Sequence, residues 1–178
     1  MKQKMLNVLP ECYVDTNLVE YLLNAFVNHQ HCCSKVVGQL NSTFADRFAI
    51  GIIDKDKVEL GYLRECEELA KTKHLTLMKH RTRSQFLITI APAVDGFILD
   101  CVKAQSIDPK AFDIPSDLKG FTKISKSITS NTDVRFKRLF AAIKDNPEVV
   151  VLKQALKYLN EMQYNVDVVR LQSLFKTE

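Results

Sequence analysis

The residues 48–53, FAIGII, form the most strand-like stretch of this chain, and the run stops abruptly in Asp54-Lys55-Asp56-Lys57. A short apolar run bounded by polar residues suits a buried strand. A second such run, MLNVL at 5–9, is stopped by Pro10. Between the two, Leu18, Val19, Leu22, Leu23, Phe26 and Val27 recur at helical spacing and predict a helix over 17–28. Asn17 followed by Glu20 has the spacing of a capping box at its start. KVVGQL at 35–40 reads as a further strand, and 41–47 as a helical turn. The first third therefore reads strand, helix, strand, short crossover, strand.

Beyond Lys57, Leu63, Cys66 or Glu67, and Ala70 have helical spacing and predict a helix over 60–70. HLTLMKH (74–80) and QFLITI (85–90) read as two strands around RTRS. After Pro92 the period changes: Val94, Phe97, Ile98, Cys101 and Val102 make a helical stripe, with Pro92 near the first turn. DIPSDLKG is a loop or short helix. Val134, Leu139, Phe140 and Ile143 mark one amphipathic helix, Val149, Leu152, Leu156 and Leu159 another, and 166–175 a last one. The expectation is an α/β fold: a mostly parallel sheet core over 1–90, with an α-helical part over 91–178 packed on it.

Composition limits what such a chain does. With 178 residues, 46% hydrophobic, five glycines and a net charge of +4, it is neither disordered nor collagen-like. No apolar stretch reaches the roughly 18 residues of a membrane span. The start, MKQKMLNVLP, meets Pro10 and Glu11 before any long apolar region, unlike a secretory signal. Five cysteines (Cys12, Cys32, Cys33, Cys66, Cys101) without a C-x-x-C argue against a disulfide framework or zinc ribbon, so reduced thiols in a cytoplasmic protein are expected.

Charge is unevenly placed. Residues 1–70 carry seven Lys/Arg against ten Asp/Glu, whereas 71–90 carry Lys71, Lys73, Lys79, Arg81 and Arg83 with no acid. That strip is a candidate track for nucleic-acid phosphates, and the stretch with Arg135, Lys137 and Arg138 is a second. Solvated faces of unlike charge would give the same pattern.

Two acidic features stand where apolar runs end: Glu11 and Asp15 after the first, Asp54 and Asp56 after the third. Ligands of an open sheet bind outside the carboxyl ends of parallel strands. If those two strands are parallel neighbours, the acids meet at one edge, where mutual repulsion calls for a divalent cation. Oxygen ligation with few protein groups suits Mg²⁺ or Mn²⁺. Taken singly, Asp-x-Asp after a strand is ordinary turn chemistry, and acids before a helix offset its dipole.

The order strand, Glu, a second acid four residues on, helix, strand, strand, Asp-x-Asp resembles the Toprim domain of topoisomerases, primases, recombination-repair proteins and small nucleases. The family's E-G-x-x-D stands here as Glu11-Cys12-Tyr13-Val14-Asp15, and its D-x-D as Asp54-Lys55-Asp56; the resemblance covers about residues 4–90. It implies a Toprim-like, Rossmann-like core and Mg²⁺-dependent phosphodiester chemistry on DNA or RNA, as in a nuclease. Glu11, Asp54 and Asp56 would be catalytic, and Asp15 would join them around the metal. In the overcoming-lysogenization-defect relatives an acid at a helix start such as Asp95 can join the metal site. The same fold without activity would be a nucleic-acid or protein binding module of a mobile element.

A rival resemblance uses some of the same residues. Tyr13-Val14-Asp15-Thr16-Asn17 before an apolar helix is similar to the opening of PIN-domain ribonucleases, where an Asp ends the first strand. It implies further acids, Glu59 or Glu65 and then Asp95 or Asp100. His29, His31, Cys32 and Cys33 are soft-metal ligand types, but without a second ligand pair they read as a loop with incidental histidines and buried cysteines. His74 and His80 read as exposed polar residues at strand ends.

Overall fold

A computed structural model of the chain describes residues 2–55, 61–127, 129–130 and 132–176. The central sheet has the order β2 (Val8–Pro10), β4 (Ala49–Asp54), β7 (Gln85–Ile90), β6 (Leu75–His80), β5 (Cys66–Lys71). The first three of these strands are parallel; β6 and β5 extend the sheet antiparallel. A short parallel pair, β1 (Gln3–Met5) with β3 (Ala25–Val27), continues it past β2. There the chain leaving β3 runs on beside β2, with Asn28 N–H on Val8 C=O and Gln30 N–H on Pro10 C=O, both 3.0 Å.

Period-two alternation divides the buried strands between two cores. Val8, Ile50, Ile52, Phe86 and Ile88 face a large core shared with α1 (Tyr13–Leu23), α3 (Val94–Ala104), α5 (Val134–Ile143) and α6 (Pro147–Met162). Leu9, Ala49, Ile53 and Leu87 face a smaller one closed by α2 (Cys33–Asn41) and the turn Gly61–Glu65. Covered on both sides, β4 has no solvated face, which explains its uninterrupted apolar sequence. A Cβ on Gly51 would come within 2.5 Å of Leu87 and 3.0 Å of Val36, so the glycine lets α2 lie close against the sheet.

Several elements depart from the sequence reading. The first helix starts at Tyr13, not 17, and ends where Asn24 turns left-handed (φ 49°); Phe26 and Val27 fall in β3. Its cap is Cys12, whose N–H meets Asp15, while Glu20 accepts Val27 N–H instead of closing a box with Asn17. The run at 35–40 is helical: only Val36 and Leu40, one turn apart, are buried in α2. Residues 61–70 form a short 3-10 turn and then β5 rather than one helix. The apolar run at 5–9 is broken at 6–7, and Pro10 lies inside β2.

The C-terminal helices α4 (Leu118–Ser125), α5, α6 and α7 (Val168–Ser173) each open with an Asp or Asn that accepts a first-turn N–H: Asp117, Asp133, Asn146 and Asp167. They are tied to the sheet by polar links. Glu148 receives the Thr72 hydroxyl (2.6 Å) and the N–H groups of Lys73 and His74. Asn17 Nδ2 donates to Ser130 C=O at 2.7 Å, and Gln172 Nε2 to Leu69 C=O at 2.7 Å. On the opposite face, buried Gln85 donates to the carbonyls of Leu40 and Phe44 and accepts the Tyr62 hydroxyl at 2.6 Å. Gln85→Leu leaves those three groups unpaired, so it is expected to lower unfolding free energy by about 3 kcal/mol or more in denaturant titration.

Candidate functional site

The parallel strands β2 and β4 are neighbours in register, Pro10 beside Ile52, so Glu11 and Asp54 emerge together at the carboxyl edge. Glu11 N–H continues the ladder to Ile52 C=O (3.0 Å), and Glu11 Oε2 accepts Asp54 N–H at 3.1 Å. Asp54 Oδ1 in turn accepts Val94 N–H at 2.9 Å, at the first turn of α3. Asp15, in the first turn of α1, takes Cys12 N–H on Oδ2 at 3.1 Å. Two helix N-termini thus point at the carboxylates. Neither cap residue, Cys12 or Ala93, bears an oxygen in its side chain. The acids supply what a Ser or Asp cap would, and the positive helix ends favour their charge. Cys12 has ordinary extended backbone angles (φ −119°, ψ 179°), so a side chain is tolerated there without strain.

All three acids are buried: Glu11 is 2% exposed, Asp15 1% and Asp54 4%. Asp15 Oδ1 has no hydrogen-bond partner, and neither has Oδ1 of buried Asp95 in the first turn of α3. Burial, reinforced by the charges of Asp54 and Glu11, pushes the Asp15 carboxyl up to about 8, although its bonds to Cys12 work the other way. The same surroundings push the half-buried Cys12 thiol far up, so it stays protonated. Asp54 and Asp95 also line a cleft of about 240 Å³ with Pro92, Ala93, Gly96, Leu118, Thr122 and Lys126.

The oxygen donors and the orphaned Asp15 Oδ1 have the chemistry of a hard-cation site, where a dication would offset the burial and the repulsion that together raise Asp15. Among the described residues, however, no three acidic, histidine or cysteine side chains are disposed to hold a metal ion. Asp56, expected to join Asp54, and Glu59 lie outside the described residues. Of the other acids a PIN-type arrangement needs, Glu65 bonds His80 at 3.2 Å and Asp100 bonds Lys73 and His74 at 3.5 and 3.4 Å. Asp15 itself sits on a helix and not at a strand end.

The basic strip is divided by the sheet. Because β6 is antiparallel to β7, Leu75 pairs with Ile90 and Lys79 with Phe86. Lys71 and Lys73 therefore lie toward the carboxylate end, and Lys79, Arg81 and Arg83 at the other, about 17 Å away along the strand. These cations also have local partners: Lys71 with Glu68 (3.7 Å), Lys73 with Asp100 (3.5 Å), Lys79 with His80 C=O (3.2 Å), Arg81 with Arg64 C=O (2.8 Å) and Arg83 with Asn41 (2.7 Å). In the second basic stretch, Arg135 is paired with Asp133 at 2.7 Å.

The histidines differ from expectation. His74 and His80 are buried, and the three cysteines Cys12, Cys32 and Cys33 are half-buried. His29 and His31 flank Gln30, whose N–H pairs with Pro10 C=O, and so stand one strand away from Glu11. Thr16 donates its hydroxyl to Cys12 C=O (2.8 Å), so His29 Nδ1, 2.8 Å from the same oxygen, is the donor to it. Burial lowers His29's basicity, with His31 adding to the effect. The neutral ring then offers Nε2 as acceptor to Nδ1–H of His31 at 3.0 Å; His31 is exposed and left-handed (φ 73°). The Tyr13 ring stacks on His29 at 4.5 Å. Sequence reasoning missed this relay; the signal was Thr16, four residues beyond Cys12, where its hydroxyl reaches back to the capping carbonyl.

Comparison with protein-family models, with curated proteins and with solved structures returns no match. What the fold and the site define is a mixed α/β protein with a mostly parallel central sheet and an acidic carboxyl edge. Among the described residues no helix is long and apolar enough to cross a membrane.

Two measurements test this geometry. A carboxyl whose folded value lies above its ordinary 3.8 favours the folded state when protonated: that contribution is complete below about pH 4 and lost as pH rises through about 8. Asp15→Asn should therefore melt above the unmodified chain at pH 8.5 in chelator, with the gain growing by at most about 1.4 kcal/mol per pH unit and vanishing by pH 4; a pH-independent difference contradicts the assignment. Nitrogen-15 NMR at pH 8 should show His31 protonated on Nδ1 and bare on Nε2, and Thr16→Val should scramble that tautomer.

Proposed function

We propose that the chain carries out Mg²⁺- or Mn²⁺-dependent phosphodiester chemistry on nucleic acid, as a nuclease of Toprim-like type. The observation that carries the reading is the 3.1 Å bond between Glu11 Oε2 and Asp54 N–H, which joins the two acidic features of the sequence at the carboxyl edge of parallel strands. The orphaned Oδ1 and raised carboxyl of Asp15 beside them support a cation there. As folded, no three described acids are disposed around one point, so Glu11, Asp15 and Asp54 would have to draw together on the ion, with Asp56 as the further acid of the Asp-x-Asp pair and Asp95 at the rim. Held there, such an ion would supply charge neutralisation at the scissile phosphate and would lower the pKa of an attacking water. Backbone N–H bonds keep Glu11 and Asp54 from swinging away as substrate arrives. His31, bonded to His29 and through it to Thr16, stands on the segment beside β2, next to the strand that ends in Glu11.

A second reading is favoured by one specific observation: each of the three carboxylates already has a structural task, on Asp54, Val94 or Cys12 N–H. A module that binds nucleic acid or a protein without cleaving it needs no more than that. Calorimetry separates the two, since the nuclease requires saturable Mg²⁺ or Mn²⁺ binding that Glu11→Gln abolishes.

Glu11→Gln and Asp54→Asn keep an oxygen for the N–H groups these side chains hold, so both should fold. Each is expected to lower metal-dependent cleavage of DNA or RNA at least 10²-fold, read on labelled substrates alongside thermal melts. Undiminished cleavage by both folded variants removes the nuclease reading.

A further inference from the structure

Away from the carboxylates, Lys2, Lys137, Lys144 and Lys153 surround one depression of about 260 Å³ between the C-terminal half of α1 and the α5–α6 pair. No carboxylate of the described residues lies within 4.0 Å of any of these ammonium groups, whereas Lys71, Lys73 and Arg135 all have one. The single acid lining the depression, Glu20, spends Oε1 on Val27 N–H at 3.2 Å. Asp145 follows Lys144 in sequence and is exposed, outside the lining.

The C-terminus of α1 at Asn24 contributes only about half a negative charge. Against four lysines and one glutamate, that leaves a surplus of more than two positive charges around a single concavity. Lysines crowded this way repel one another unless an anion lies among them. The depression is shallow and lined by point charges; it has none of the planar forks of arginine that fix one small oxyanion bidentately. Such a surface suits the repeating phosphates of a polymer. Phe26, half-exposed under Lys2 at 5.8 Å, is one ring, too little apolar area to enter a bilayer.

We propose that this depression binds the phosphate backbone of nucleic acid and holds the substrate at a second point. The inference rests on the nucleic-acid reading given above and adds where the strand runs. Along α1, Tyr13 near the acids and Leu22 at the depression are roughly 14 Å apart at 1.5 Å per residue. The contact would fall about four nucleotides from the scissile phosphate, at 3.4 Å per nucleotide of one strand.

The test is anisotropy of labelled 20-nucleotide DNA and RNA, single- and double-stranded, with the full chain in EDTA between 50 and 200 mM salt. Lys137→Gln/Lys144→Gln/Lys153→Gln is expected to bind at least tenfold more weakly at 100 mM salt, with a salt slope smaller by about 2 to 3. The control Lys103→Gln/Lys110→Gln/Lys176→Gln loses the same charge elsewhere and should bind nearly as the unmodified chain does. Equal affinity of the two triple variants, no binding by the unmodified chain, displacement by 1 mM inorganic phosphate, or binding only to phosphatidylserine vesicles each overturns the proposal. Because no divalent ion is present, the result stands apart from cleavage. Loss of binding in the lysine variant of an inactive protein sinks only the nuclease reading, and unchanged binding in an active one sinks only this inference.

Discussion

The whole architecture depends on β4 being sealed on both faces. Its six residues are buried, Ile50 and Ile52 toward one layer of helices, Ala49 and Ile53 toward α2, with Gly51 allowing the close approach. Parallel strands are commonly covered on both faces, and β4 has two parallel neighbours: β2, joined to it through α1 and α2, and β7, reached through the antiparallel strands β5 and β6. Parallel neighbours end on the same side, and that is why acids forty-three positions apart come within one hydrogen bond of each other. The acidic edge follows from packing before any chemistry is considered.

At that edge, stability and chemistry make opposed demands on the same groups. Neither α1 nor α3 has an oxygen-bearing residue at its cap position: α1's own Asp15 accepts the Cys12 N–H, and Asp54 of β4 accepts the Val94 N–H. Burial, and after it the charges of Asp54 and Glu11, raises Asp15, a local destabilisation near neutral pH that the caps partly offset. A structure that needed caps alone would have used Asp or Asn at the cap position, as α4 to α7 do. Here Asp15 lies on α1 itself and Asp54 at the end of β4, so both carboxylates stand at the carboxyl edge of the sheet.

The sequence made legible those elements whose burial is nearly complete or strictly periodic: β4, β6, β7, α3, α5 and α6. It misled where tertiary context decides. Val36-Val37 has strand propensity, yet a single buried stripe of Val36 and Leu40 makes it helical. The edge strand β5 is polar and bulged between Glu68 and Ala70, so its alternation is lost and a helical spacing shows through by chance. The start of α1 was obscured because a cysteine is an unusual cap. Convergence of Glu11 with Asp54 was readable from parallel adjacency alone. The His29–His31 relay was not, since it depends on a hydroxyl bond inside α1, and the continuity of the basic strip was illusory because β6 reverses direction within it.

The outer margin of β5 has a consequence for how copies of this chain meet. A bare margin of a sheet invites another molecule to add a strand, the first step toward fibrils. Here Leu69 C=O is occupied by Gln172 of α7, the bulge twists the backbone out of line, and Glu67, Glu68 and Lys71 are exposed along it. Occupation, distortion and charge act together against the addition of a further strand at this side of the sheet.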